Sequence, residues 1–226
     1  MRAPDRYAAL VFDIDGTLIT TGGAGARAWA MAFEELYGVT ADVAEFSEPG
    51  MTDPDIARLT FTGAVGRAPE PPDLARVMGR YLHHLSETLA DADGYRVMKG
   101  VEELLPALVE AGYLLGLTTG NLEAAAHIKL HPAGLNRFFC FGGYGSDSGD
   151  RVELTRKAIQ RAGMISGAEI APAATIVLGD TPHDVDAAHG AGARSVGVAS
   201  GSSTVEDLVR AGADQVLASL SEEIEL

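Results

Sequence analysis

The sequence predicts a doubly wound α/β fold, with a parallel, Rossmann-like sheet core and an inserted α-helical domain near its start. Three observations carry this expectation. Short apolar runs of four or five residues alternate with stretches patterned for helices. The first of these runs ends in a pair of aspartates, and between Thr20 and about Asp93 the alternation stops, leaving helical patterns without a convincing strand. Runs of that length between helices suit parallel strands buried on both faces, and in such sheets ligands gather at the carboxyl ends of the strands.

Taken in order, Ala8 to Phe12 is the first strand, the end of an apolar stretch that begins at Tyr7. Helices follow over Ala26 to Tyr37, Pro54 to Thr62 and Pro72 to Leu89. Gly22, Gly23 and Gly25 near the start of this insert, and Asp93-Gly94 near its end, give passages where a lid hinges or the chain simply turns. Ala68 to Pro72 reads as a stiff connection inside the insert. Beyond it, helices over Val101 to Ala111, Leu122 to Leu130, Val152 to Ala162, Asp184 to Gly190 and Val205 to Ala211 alternate with strands. Those strands are Leu114 to Thr118, Phe138 to Phe141, Thr175 to Leu178 and Ser195 to Val198. The domain expectation is therefore a core of residues 1–20 and 94–226 and a helical domain of residues 21–93.

Composition narrows the partners. A chain of 226 residues is long enough to bury a sizeable core. Its formal net charge of -15 argues against nucleic acid and anionic membrane surfaces, because a negative field repels polyanions. A few cations and a metal focused in one cleft can still bind phosphate. Cys140 is the only cysteine, so no internal disulfide forms, which fits a reducing compartment. Within Phe138-Phe139-Cys140-Phe141 it reads as a buried strand residue, with no basic residue nearby to activate it. The apolar stretch before the aspartates is too short for a signal peptide or a membrane span, although Arg2 and Arg6 precede it, so cytoplasmic residence is expected.

The chemistry concentrates where strands end. In Val11-Phe12-Asp13-Ile14-Asp15-Gly16-Thr17-Leu18, residues i and i+2 of an extended chain point the same way, so Asp13 and Asp15 can face one substrate. One carboxylate can attack phosphorus while the other handles the leaving-group proton. A calcium loop is a poor alternative, because Ile14 and the Leu18-Ile19 pair do not supply further oxygen ligands. After the strand ending at Thr118 comes Thr119-Gly120-Asn121, where a hydroxyl beside the amides of a helix start suits phosphoryl oxygens. Strand alternation sends Thr118 and Thr119 to opposite sides, so only one of them serves.

In this order the segments resemble the motifs of the haloacid dehalogenase (HAD) superfamily. The likeness covers nearly the whole chain and is to the phosphoglycolate-phosphatase-like branch with a helical (C1-type) cap, whose cap segment Gly50-Met51-Thr52-Asp53 also resembles. The resemblance implies that Asp13 is the nucleophile, Asp15 the acid/base, and Thr119, with Gly120 and Asn121, the phosphate-binding second motif. Gly179-Asp180 followed by Asp184 resembles the fourth motif. It implies a Mg2+ site of Asp13, Asp180 and the backbone carbonyl of Asp15, with Asp184 acting through water or by orienting the others. Asp184 also reads as a helix N-cap, and His183 as a bystander, since magnesium prefers oxygen. The third motif is usually a lysine. Here Arg151 falls closest to the right place, and its planar fork can bind carboxylate and phosphate together. Lys157 reads as a surface charge, and Lys129 as a cation favoured by the helix dipole at a C-terminus. Met51 stands where related chains often carry lysine.

The implied activity is magnesium-dependent hydrolysis of a small-molecule phosphate monoester through a phospho-aspartyl intermediate. Asp15 argues against dehalogenation, and the absence of any lysine before Lys99 argues against a cap-lysine Schiff base. A phosphomutase acting on a sugar phosphate and a non-catalytic phosphate-binding protein are the alternatives. The expected partner is a small phosphorylated metabolite, with no nucleic acid and no membrane, and with the chain as a monomer or homodimer.

Overall fold

The computed structural model describes residues 8–48, 50–90 and 92–226. Tyr7, where the first apolar stretch begins, and the N-terminal Arg2 and Arg6 lie outside the described residues. Six strands form one sheet in the order β5 (Phe141–Tyr144), β4 (Leu114–Thr119), β1 (Ala9–Phe12), β6 (Thr175–Gly179), β7 (Arg194–Val198), β8 (Gln215–Leu217). Every neighbouring pair is parallel. The chain leaves β1 toward β4 and β5, then crosses back to β6 on the other side. This is the doubly wound order, whose direction reverses beside β1 and opens a crevice at its carboxyl end.

The composition of β1 follows from its central place. Ala9 to Phe12 pair with Leu114 to Leu117 on one side and Thr175 to Leu178 on the other, and all four residues are fully buried. Their side chains alternate between the two faces. Leu10 and Phe12 join Leu115, Leu117, Ile176 and Leu178 against α4 (Val101–Glu110) and α5 (Glu123–Leu130). Ala9 and Val11 face α6 (Arg151–Ser166) and α7 (Pro182–Ala191), whose contact residues include Ala158, Ala162 and Ala188. A last helix, α8 (Val205–Arg210), precedes the edge strand β8.

Three local expectations are corrected. The strand expected over Phe138 to Phe141 begins only at Phe141, because Leu135–Phe138 takes a 3-10 turn. Cys140 therefore lies outside the strand and is exposed, while Phe139 turns inward and meets the Phe12 ring edge-on at 6.0 Å. β5 is instead built on Gly142 and Gly143; a side chain at Gly143 would collide with the backbone of Leu154 on α6. The edge strand β8 was not foreseen, since it is three residues long and only its last is buried.

Between the first and second core strands the chain makes α1 (Ala24–Tyr37), α2 (Asp53–Val65) and α3 (Pro71–Ala90), flanked by the short strands β2 (Ile19–Thr21) and β3 (Tyr95–Val97). β2 and β3 pair antiparallel, a stem missing from the sequence expectation because each strand is only three residues long. Just beyond it, Gly22 (φ +59°) and Gly94 approach so closely that a Cβ on either would strike the other's backbone. The helices share their own apolar cluster, in which Trp29 and Tyr81 stack at 3.9 Å and 6°, with Phe33 and Phe61 beside them. Thr52 caps α2, accepting a hydrogen bond from the Asp55 amide. Pro71 and Pro72 open α3, where a missing N–H costs nothing.

Candidate active site

Asp13 is the first residue beyond β1, and its N–H still donates to the Leu178 carbonyl at 2.8 Å, which extends the ladder one step and holds the side chain at the mouth of the crevice. The chain then turns. Leu18 N–H donates to the Ile14 carbonyl at 2.9 Å, and Gly16 takes φ +87°. A Cβ on Gly16 would stand 2.5 Å from Asp180 Oδ2, so glycine is needed both for the left-handed backbone and for the approach of the next carboxylate.

At the end of β4 the two threonines separate as strand alternation requires. Thr118 Oγ1 lies 3.1 Å from Thr155 Oγ1 under α6, on the far side of the sheet edge. Thr119 Oγ1 faces the cleft and accepts from Asn121 Nδ2 at 2.8 Å. Asn121 Nδ2 also donates to Asp15 Oδ2 at 2.8 Å, tying the two loops together. Gly120 carries a segment of the insert directly on its backbone: an added Cβ would lie 2.5 Å from the Met51 carbonyl oxygen. Asp53 completes that junction. Its N–H donates to the Gly120 carbonyl at 2.8 Å, and its Oδ2 accepts from Leu122 N–H at 2.8 Å, at the start of α5, which has no side-chain cap of its own. Burial pushes the Asp53 carboxyl up to about 6, although Lys129 and the Leu122 amide favour the charged form.

Asp180 and Asp184 arrive from the end of β6 and the first turn of α7. With Asp13 they are all buried and present oxygens within 4.8 Å of one another. Burial and the neighbouring Asp184 push Asp180 up to about 6, and burial with Asp184 raises Asp13 well above the usual carboxylate range despite Arg151. Asp184 is not the N-cap of α7. Thr181 is, and Asp184 sits three residues on in a reciprocal capping box, with Oδ2 accepting from Thr181 Oγ1 at 2.7 Å and from Thr181 N at 3.1 Å. Its other oxygen is held by Arg151 Nη2.

Arg151, first residue of α6, reaches into the acidic cluster. Nη2 stands 3.6 Å from Asp13 Oδ1, and Nη1 donates to the Gly50 carbonyl of the insert at 3.1 Å. Its Nε is buried without a hydrogen-bond partner. His183 stands against Gly50, outside the carboxylate cluster. The insert arginines Arg58, Arg67 and Arg80 are occupied by Asp55, Asp73 and Glu35.

Lys129 stands in the last turn of α5, as the dipole reading expects, but its ammonium turns into the cleft. It is 6% exposed, and its Nζ donates to Asp15 Oδ2 at 2.7 Å and to Asn121 Oδ1 at 2.6 Å. Burial alone would lower its pKa, but the Asp15 and Asp53 carboxylates raise it, so the ammonium is retained. A signal was present in the sequence: Lys129 falls in the buried stripe of α5 with Ala125, Ala126 and Leu130, where a solvated lysine has no place. Lys157 and Lys99 are exposed, as a surface role requires.

Asp13, Asp15, Asp53, Thr119, Asn121, Lys129, Arg151 and Asp180 line a cleft of about 660 Å³ between the sheet and the insert, whose insert side includes Trp29, Met51, Ile56 and Tyr81. Residues 7–192 match the haloacid dehalogenase-like hydrolase family. The chain belongs to that family. This HAD-like hydrolase is similar to phosphoglycolate phosphatase of Nitrosospira multiformis, at 28% identity over all of this chain and 98% of the relative. It is also similar to a 5'-nucleotidase of Pseudomonas aeruginosa, at 29% identity over 90% of this chain and 87% of the relative. Its fold matches CbbY of Rhodobacter sphaeroides in complex with phosphate, with a TM-score of 0.76, 22% identity and 96% of each chain covered. The HAD-like hydrolase is thus an enzyme similar to phosphatases, and it resembles the phosphoglycolate-phosphatase-like branch; no helix among the described residues is long and apolar enough to cross a membrane.

Proposed function

We propose that this enzyme hydrolyses a small phosphate monoester with magnesium, through a phosphoryl group carried on Asp13. The observation that carries the reading is the position of Asp13 at the carboxyl end of β1, facing an arginine whose buried Nε has no partner and beside Asp180 and Asp184. A phosphoryl oxygen would complete that guanidinium. Asp13 attacks phosphorus; the ester P–O bond breaks, and the leaving oxygen takes a proton from Asp15. Water then gives a proton to Asp15 and its oxygen to phosphorus, which releases inorganic phosphate and restores Asp13. Thr119 and the amides of Gly120 and Asn121 bind phosphoryl oxygens, and Arg151 neutralises nucleophile and phosphate together.

The donor set suits magnesium: hard oxygens only, crowded and buried so that Asp13 and Asp180 resist ionising without a cation. Asp13, Asp180 and the carbonyl of Asp15 would hold it, with Asp184, bonded to Arg151 through one oxygen and to Thr181 through the other, orienting the guanidinium beside them. Bound there, the ion would offset the negative charge of the phosphoryl group. Residues 21–93 act as the cap, which excludes water and selects a small phosphorylated metabolite, in a cytoplasmic chain that is a monomer or homodimer.

Inorganic phosphate release from a panel of small monoesters, with and without Mg2+, tests the reading with the parent and Asp13→Asn side by side. Magnesium-dependent turnover that disappears in the variant is expected. A parent that releases no phosphate, or a variant as fast as the parent, overturns it.

A further inference from the structure

We propose that Lys129 is the positioning residue of Asp15: with Asn121 it pins one carboxylate oxygen, Oδ2, and so presents Oδ1 as the atom that exchanges the proton. The proposal rests on the phosphatase reading above, in which Asp15 serves the leaving group and then the water.

Both donors converge on the same atom, Lys129 Nζ at 2.7 Å and Asn121 Nδ2 at 2.8 Å from Asp15 Oδ2. Lys129 also donates to Asn121 Oδ1 at 2.6 Å, which fixes the amide so that its NH2 points to Asp15 and to Thr119 Oγ1. The three side chains close a ring, and through Thr119 the ring reaches the phosphate-binding end of β4. The two buried cations of the cleft therefore divide the work. Arg151 pairs with Asp13 and Asp184 at the nucleophile, whereas Lys129 pairs with Asp15 at the leaving-group side.

The tether matters because Asp15 has a far more exposed side chain than Asp13 or Asp184. Its side chain is 42% exposed, against 8% for Lys129, so water alone would leave its carboxylate free to rotate. Pinning Oδ2 settles which oxygen faces the departing group and removes that rotational freedom before reaction. The proton path is then single: Oδ1–H to the leaving oxygen as the P–O bond breaks, and water to Oδ1 in the second step. Lys129 keeps its own protons and touches neither reacting atom.

The test separates positioning from folding by the demand for a proton. 4-Nitrophenolate leaves without one, whereas the alkoxide from 4-nitrobenzyl phosphate must be protonated as it departs. With saturating Mg2+, kcat/KM, which ends at departure of the leaving group, is measured on both esters for the parent, Lys129→Met and Lys129→Arg. The Met variant should lose about 10- to 100-fold more on the benzyl ester than on the aryl ester, and the Arg variant, which keeps a charged donor, should show a smaller bias. Equal losses on both esters, in whichever variants fold, overturn the positioning role while leaving the phosphatase reading intact. A parent inactive on these esters and on the small-ester panel overturns both.

Discussion

Replacing Asp53 with Asn probes the junction between insert and core through a single charge. Asp53 is 4% exposed, and burial pushes its carboxyl from the ordinary value of about 4 up to about 6. Between those limits the native chain binds a proton that the unfolded chain does not, so the slope of stability against pH is negative. Stability from this group is fully present below pH 4, falls as pH rises, and levels off above pH 6, where the ionised carboxylate costs about 3 kcal/mol. Asn keeps an acceptor for the Leu122 N–H at the start of α5 but cannot ionise. Parent and Asp53→Asn should therefore unfold alike near pH 4 and diverge through pH 6, with the variant more stable by about 3 kcal/mol at pH 7. Urea denaturation in chelator across pH 4 to 8 measures this as a difference, which cancels Asp13 and Asp180, whose raised pKa values drift in the same direction. A variant less stable than the parent at pH 7 would refute the reasoning. The attraction of the Asp53 carboxylate for Lys129 and for the amides of α5 would then exceed the cost of burying it.

Other perturbations test other links. Gly120→Ala puts a methyl 2.5 Å from the Met51 carbonyl oxygen and 3.1 Å from Thr52 Cα, both backbone, so the insert segment must lift and break both Asp53 contacts. KM for the best ester should rise about tenfold, with a loss of about 1–3 kcal/mol in denaturation, and an unchanged KM would mean that the segment can sit elsewhere. Mg2+ at about one hundred times its dissociation constant should stabilise the parent by about 2.7 kcal/mol, and calorimetry should find that gain missing in Asp180→Asn. Phe12→Ala empties the centre of the sheet, where the ring is fully buried and meets Phe139; about 3–5 kcal/mol should disappear from the denaturant midpoint without a change in slope.

The core was legible because its strands are buried on both faces. β1 has neighbours on each side, so its four residues must all be apolar, and the chain can turn polar only where the sheet ends, at Asp13. The same logic separates Thr118 from Thr119, whereas Asp180 and Asp184 are expected beside Asp13 through their resemblance to the fourth motif, and the fold brings the three carboxylates together. Arg151 is expected only through the resemblance, as the basic residue nearest the place of the third motif. What the sequence could not show is what depends on a distant partner. β2, β3 and β8 are three residues each, too short to carry a period, and exist because another strand supplies their hydrogen bonds. Gly143 looks like loop until α6 packs so close that only glycine fits, and at Gly142 a side chain would strike the Tyr144 ring. Lys129 and Asp53 look like ordinary helix-end charges, and their partners Asp15 and Leu122 lie 114 and 69 residues away. Local pattern determines which face of an element is buried; only the folded chain decides which charge meets which, because the buried Lys129 ammonium is retained only where carboxylates from elsewhere in the chain offset its desolvation.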